Sequence, residues 1–180
     1  MQPELIDIVD QAGNPLGFSR PRDEVHKTGL WHKTVHIWVL NSKQQLLLQK
    51  RAATKESFPG LWDISAAGHI SAGDTSVSAA CRELLEEIGV CATQQELIYV
   101  CTIRGIYEDP SRPFIDHELS DVFLVRKEIP IDKKTMLSEE VDDIQYFGID
   151  ELKRKLGQTP HLFVPHHEAY KRLFAYITSL

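Results

Sequence analysis

The chain has 180 residues, against about 150 for an average domain, so one domain over 1–180 is expected. Its 42% hydrophobic and 26% charged residues exclude a disordered or fibrous polypeptide. Twenty Lys and Arg against 26 Asp and Glu leave a net charge of −6 with no basic run, which argues against nucleic acid as a partner. An acidic chain that handles a polyanion needs a cation between them, so metal-binding carboxylates are worth seeking.

In chain order, ELIDIVDQAGNPLGFSR places two apolar runs around Gly13, Asn14 and Pro15 and predicts a hairpin. TVHIWVLN and QQLLLQKR, separated by Asn41, Ser42 and Lys43, predict a second. After Pro59-Gly60 come a short strand, LWDISAAG, and a small-residue loop, HISAGD. From Thr75 to Ile88 the positions Val77, Cys81, Leu84, Leu85 and Ile88 recur at helical spacing, with Asp74 or Thr75 as cap and Gly89 as the left-handed stop. ELIYVCTI, ELSDVFLV and DIQYFGI read as strands, with a loop holding Pro110 and Pro113 before the second of these. A short helix over Ile149–Leu156 and a closing one over His167–Leu180, with Tyr170, Leu173, Phe174 and Ile177 on its apolar face, complete the pattern. Strands and helices do not alternate one for one, so the expected class is an α+β sandwich and not a regular βαβ array.

No run approaches the roughly 18 apolar residues of a membrane helix, and MQPELIDIVDQAG lacks the regions of a signal peptide, so a soluble, cytoplasmic protein with no membrane partner is expected. Cys81, Cys91 and Cys101 contain no C-x-x-C pair, and their expected role is that of small buried apolar residues.

The informative segment is GHISAGDTSVSAACRELLEEIGV, residues 68–90. On a helix Glu83, Glu86 and Glu87 fall at i, i+3 and i+4 and share one face, while Leu84, Leu85 and Ile88 are expected to turn inward. Three like charges repel at that spacing, so they need solvent, Arg82 or bound cations, and carboxylate oxygens suit Mg²⁺ or Mn²⁺. Gly68, Asp74, Arg82-Glu83-Leu84, Glu86-Glu87 and Gly89 stand at the spacing of the Nudix box, and the segment resembles it. Asp74 occupies the place of a glutamate in that pattern, a shorter carboxylate for metal coordination or helix capping. The resemblance implies a Nudix-type α/β/α sandwich with a mixed sheet and a loop-helix-loop box. It also implies an enzyme, a pyrophosphohydrolase acting on a small-molecule diphosphate substrate with Mg²⁺ or Mn²⁺. Glu83, Glu86 and Glu87 are then metal ligands and catalytic groups, with Arg82 orienting a box glutamate through an ion pair.

The stretch from Glu4 to about Tyr170, including SFPGLWDISAAGHI and FIDHELSDVF, is similar to the branch of that superfamily containing isopentenyl-diphosphate isomerase. That resemblance implies a second divalent-metal centre at His26, His32, His69, Asp116 and Glu118, with Asp116 in place of a glutamate. The isomerase carries a catalytic cysteine just before the Gly-His pair, where Ala67 stands here. Ala67 and the intact box favour hydrolysis. The alternatives are an isomerase-like enzyme or prenyl-diphosphate hydrolase, and a non-catalytic diphosphate sensor. Trp38 is expected in the core, with Tyr107 and Phe114 as loop packing. Glu139 and Glu140 are read as a solvated charge run, and Lys50 and Arg51 as strand-end charges. The roles of His161, His166 and His167, and the oligomeric state, a homodimer included, stay open.

Overall fold

The structure, a computed structural model, describes residues 3–55, 57–132 and 139–179. Strands β1 (Leu5–Val9) and β2 (Pro15–Pro21) form the first hairpin, whose turn is fixed by Asp10 Oδ1 accepting from the backbone of Ala12 and Asn14 at 2.8 and 2.9 Å. The centre of the molecule is β3 (His32–Leu40), which runs parallel to β8 (Phe114–Arg126) in unbroken register from His32 opposite Glu118 to Leu40 opposite Arg126. β7 (Leu97–Asp109) lies antiparallel to β8 as a long hairpin. On its other edge β3 pairs first with β6 (Ala66–His69) and then with β4 (Gln45–Arg51). β4 diverges to pair with β5 (Trp62–Asp63) and β9 (Val141–Gly148). At the fork the buried Ser65 hydroxyl accepts from Val39 N at 2.8 Å and donates to Leu47 O at 2.5 Å, satisfying backbone groups that the splayed strands no longer share.

Both faces of this mixed sheet are covered, so β3 reads as a near-continuous apolar run. Val35, Ile37 and Val39 pack with Phe123 and Val125 against Ala79, Ala80, Leu84 and Ile88 of α2 (Ser76–Ile88). Trp38, Leu40, Val122 and Leu124 point the other way, toward Leu152 of α3 (Ile149–Gln158) and Ala169, Tyr170, Leu173 and Ile177 of α4 (His167–Thr178). The result is the expected α/β/α sandwich.

Helix α2 begins at Thr75, whose hydroxyl accepts from Ser78 N at 3.1 Å while Thr75 N donates to Ser78 Oγ at 3.0 Å, and ends at Gly89 with φ 67. Of the two candidate caps it is therefore Thr75 that serves, and Asp74 is exposed beside it. Leu85 is also exposed, at 52%, against the inward orientation expected, because the buried stripe is occupied by Glu83, Leu84, Glu87 and Ile88. A helix unexpected from periodicity, α1 (Arg22–Thr28), carries a single core residue, Val25. Its punctuation is legible in hindsight: Pro21 before it, acids in the first turn, His26 and Lys27 in the last, and Gly29 at φ 66. The cysteines depart from expectation too, with Cys81 and Cys101 partly exposed and Cys91 exposed. Among the described residues no helix is long and apolar enough to cross a membrane.

Candidate active site

The short strand β6 lies under α2, and a glycine is required where they meet. A Cβ on Gly68 would stand 2.1 Å from Glu83 Cδ and 2.2 Å from its Oε1, so the carboxylate rests directly on the glycine backbone. Arg82 fastens this contact, since Nη2 donates to His69 O at 2.9 Å while Nη1 reaches Glu83 Oε1 at 2.7 Å and Glu86 Oε2 at 3.0 Å. Glu87 Oε2 accepts from Gln49 Nε2 at 2.7 Å and Ala67 N at 3.0 Å, and Lys55 Nζ lies 3.8 Å from Oε1. Lys55 also pairs with Glu140.

Two of the three box carboxylates are thus buried, and Glu86 is exposed. Burial pushes Glu83 up to about 7 against the pull of Arg82, with Glu87 and Glu86 raising it further. Burial likewise pushes Glu87 up to about 7, against the Ala67 N–H, Lys55 and Gln49. The local cations and donors do not compensate these two acids, and a divalent cation is a complement that the pair could take up.

A second cluster assembles from four elements: α1 gives His26, β3 gives His32, β6 gives His69, and β8 gives Asp116 and Glu118. Atoms of His26, His32 and His69 that can bind a metal lie within 4.8 Å of one another, as do those of His32, Asp116 and Glu118. His26 Nε2 is 3.2 Å from His69 Nε2 and 3.5 Å from Asp116 Oδ1, and His32 Nε2 is 3.7 Å from both Asp116 Oδ1 and Glu118 Oε1. Nδ1 of His26 and of His32 each sits 3.0 Å from a backbone carbonyl, of Arg22 and Leu30, which places the proton there and turns the Nε2 lone pair inward. His32 Nε2 and Asp116 Oδ1 are buried without a hydrogen-bond partner. Orphaned atoms on an imidazole and a carboxylate that face each other fit a divalent transition metal. Burial opposes ionisation of both carboxyls; the imidazoles of His26 and His32 nonetheless hold Asp116 down, whereas Glu118 is raised, with Asp116 beside it.

Both clusters line one cavity of about 320 Å³. Asp74 is not among its lining residues, whereas Glu83, Glu86, Glu87, Arg82, His26, His69, Asp116 and Glu118 are. Several other residues do not keep the roles expected of them. Arg51 is a wall of the cavity, paired at 2.9 Å with buried Asp63, and not a loose strand-end charge. Glu140 lines the mouth beside Lys55. Phe114 stacks on His26 with centroids 4.7 Å apart and closes one side, and Tyr107 belongs to a strand instead of a loop. Trp38 is fully buried in the core, as expected. Sequence reasoning missed His36, Asp63 and His166, which no spacing connects; His166 Nε2 meets Asp63 Oδ1 at 2.8 Å. A second cavity of about 210 Å³ adjoins the first, sharing His36, Phe58 and His166 and walled further by Ile103, Ile106 and Tyr107.

A family model for the NUDIX domain matches residues 30–167. Over 97% of its length the chain is 41% identical to Nudix hydrolase 3 of Arabidopsis thaliana, of which it spans only 23%. It is 32% identical to isopentenyl-diphosphate Delta-isomerase of Pectobacterium atrosepticum over 88% of this chain and 84% of that one. The fold is similar to that of a Deinococcus radiodurans crystal structure, with TM-score 0.70 over 96% of this chain and 99% of the other at 18% identity. A glycine-seated glutamate, a clamping arginine and a family match across the sheet and helix that carry them lead to one conclusion: the chain belongs to the Nudix family.

Proposed function

We propose that the protein is a divalent-metal-dependent hydrolase that cleaves the diphosphate linkage of a nucleoside diphosphate-linked or related small molecule. The observation that carries this is the pair of buried acids, Glu83 and Glu87, each raised to about 7 and facing one cavity. With Glu86 they would hold Mg²⁺ or Mn²⁺, and His26, His69, Asp116 and Glu118, which line the same cavity, would form a further metal centre with the fully buried His32 behind them. Bound there, divalent cations supply charge neutralisation to the diphosphate oxygens and acidity to water. Arg82 keeps Glu83 and Glu86 aimed, and Gln49 and Ala67 N orient Glu87. Arg51 and Lys55 add positive charge to the walls. In the reaction a water oxygen bonds to one phosphorus, the bond from that phosphorus to the bridging oxygen breaks, and two phosphate products leave.

A screen of nucleoside diphosphates, nucleoside diphosphate sugars, dinucleotides and prenyl diphosphates with Mg²⁺ and Mn²⁺ is expected to reveal hydrolysis to phosphate monoesters, with inorganic phosphate only from terminal diphosphates, that Glu86→Gln and Glu87→Gln each abolish. Turnover that survives both and depends on His69 alone would overturn the box-centred mechanism. Binding without product under every metal would indicate a sensor. A prenyl-diphosphate hydrolase is the second reading, favoured by the Ile103, Ile106 and Tyr107 wall of the adjoining cavity. Isomerisation is disfavoured, because the position before Gly68 is Ala67, whose side chain cannot move a proton.

A further inference from the structure

Between the polar cavity and the adjoining one stands a hydrogen-bonded assembly that the hydrolytic reading leaves unused. Asp63, 2% exposed, accepts from Arg51 Nη1 at 2.9 Å through Oδ2, and through Oδ1 from Ile64 N and from His166 Nε2, both at 2.8 Å. Arg51 and His166 hold this carboxyl well below its usual range despite burial, so it is an anion. An anionic acceptor requires the proton on His166 Nε2, which leaves Nδ1 for another partner. The His166 ring packs edge-on against His36, with centroids 4.7 Å apart. His36 is 5% exposed, is kept neutral by burial and by His166, and its Nδ1 has no hydrogen-bond partner. Both rings line both cavities. A buried imidazole with an unpartnered nitrogen, on a residue that lines two cavities, calls for a polar ligand atom or a water.

We propose that His36 and His166, the latter positioned by Asp63, form a neck that selects a substrate bearing a hydroxyl beside its diphosphate and discriminates against a plain hydrocarbon chain. The inference rests on the diphosphate-hydrolase reading and narrows its substrate class. A diphosphate held at the box carboxylates leaves its organic group to pass the neck into the adjoining cavity. A hydroxyl both donates and accepts, which suits a free Nδ1 on His166 and an unpaired Nδ1 on His36. A methylene in the same place leaves those nitrogens unpaired, and a site built around hydrogen bonds rejects such an analogue strongly. His166 is thereby a specificity-determining residue and Asp63 a positioning residue.

Three probes separate the possibilities by titration calorimetry with Mn²⁺: inorganic pyrophosphate, ribose 5-diphosphate and dimethylallyl diphosphate, the last two equal in carbon number. The protein is expected to bind the ribose compound at least about tenfold more tightly than the dimethylallyl one. His166→Gln, which keeps a nitrogen toward Asp63 and removes the one at the neck, is expected to erase most of that preference, as is His36→Leu. Pyrophosphate affinity, which reports an intact box and fold, should stay within about twofold in both variants. His166→Asn, with a polar atom at the δ position, should keep part of the preference. A wild-type preference for the hydrocarbon, or a preference unchanged in both neck variants, overturns the inference while leaving the hydrolase reading in place. Failure of the wild type to bind pyrophosphate with metal overturns the diphosphate reading, and the neck with it.

Discussion

Replacing Glu87 with Gln in metal-free protein is expected to raise stability at alkaline pH, the opposite of what removing a hydrogen-bonded buried group ordinarily does. Folding moves this carboxyl from 4.5 to about 7, chiefly through burial. The sign follows from proton counting: between those values the folded state keeps a proton that the unfolded chain has released, so stability falls as pH rises through the window. Below 4.5 both states are protonated and the penalty is absent; above about 7 it is complete, at about 3 kcal/mol. A glutamine carbonyl can still accept from Gln49 Nε2 and Ala67 N, so the variant escapes the penalty and loses little besides the Lys55 contact. Chelator-treated wild type and variant, melted at pH 5 and pH 8, should differ little at the lower pH and by roughly 5–10 °C in Tm at the higher. Added Mn²⁺ should narrow or reverse the gap, since cations that bind the carboxylate stabilise only the wild type through it. A variant less stable than wild type at pH 8, or a difference independent of pH, would refute the burial argument.

Gly68→Ala would force a methyl into the Glu83 carboxylate, and a loss of about 1–3 kcal/mol by urea denaturation, together with near-complete loss of turnover, is expected. Leu84→Ala should cost about 2–5 kcal/mol and Leu85→Ala under about 1, because the first is fully buried and the second 52% exposed; a reversed order would mean α2 is rotated. Arg82→Lys is expected to lower kcat by about tenfold or more, since one ammonium cannot bridge His69 O, Glu83 and Glu86 together; unchanged kcat would remove its positioning role. His32→Ala should lower the Mn²⁺ retained after gel filtration, read by atomic emission, while leaving Glu87-dependent Mg²⁺ binding in place; equal retention would leave the imidazole cluster without a metal.

Local chemistry made much of this molecule legible. The Gly13-Asn14-Pro15 turn, the Thr75 to Gly89 helix limits and the α+β class follow from residues near one another in sequence. Leu85 misleads because its neighbour Leu84 already fills the core, and the rest of the inward stripe belongs to Glu83 and Glu87, seated over a glycine that periodicity does not weigh. Helix α1 hides because Val25 gives no repeat. The box was readable as a contiguous motif, and the imidazole cluster only through resemblance, since its members come from four separate elements. Arg51, Asp63 and His166 carry no common spacing, and only the meeting of β4, β5 and the start of α4 brings them together. That both clusters open on a single cavity is likewise a property of the sheet and not of any segment.

The parallel register of β3 and β8 ties strand alignment to the proposed imidazole-carboxylate metal centre. His32 stands opposite Glu118, which lies 86 positions further along the chain. A slip by one residue would send Glu118 to the opposite side of the sheet and dismantle the ligand set. During refolding, manganese uptake at this centre should therefore trail the formation of helix α2 and coincide with the long-range pairing of β3 with β8, so that a bound ion reports which chains have aligned correctly.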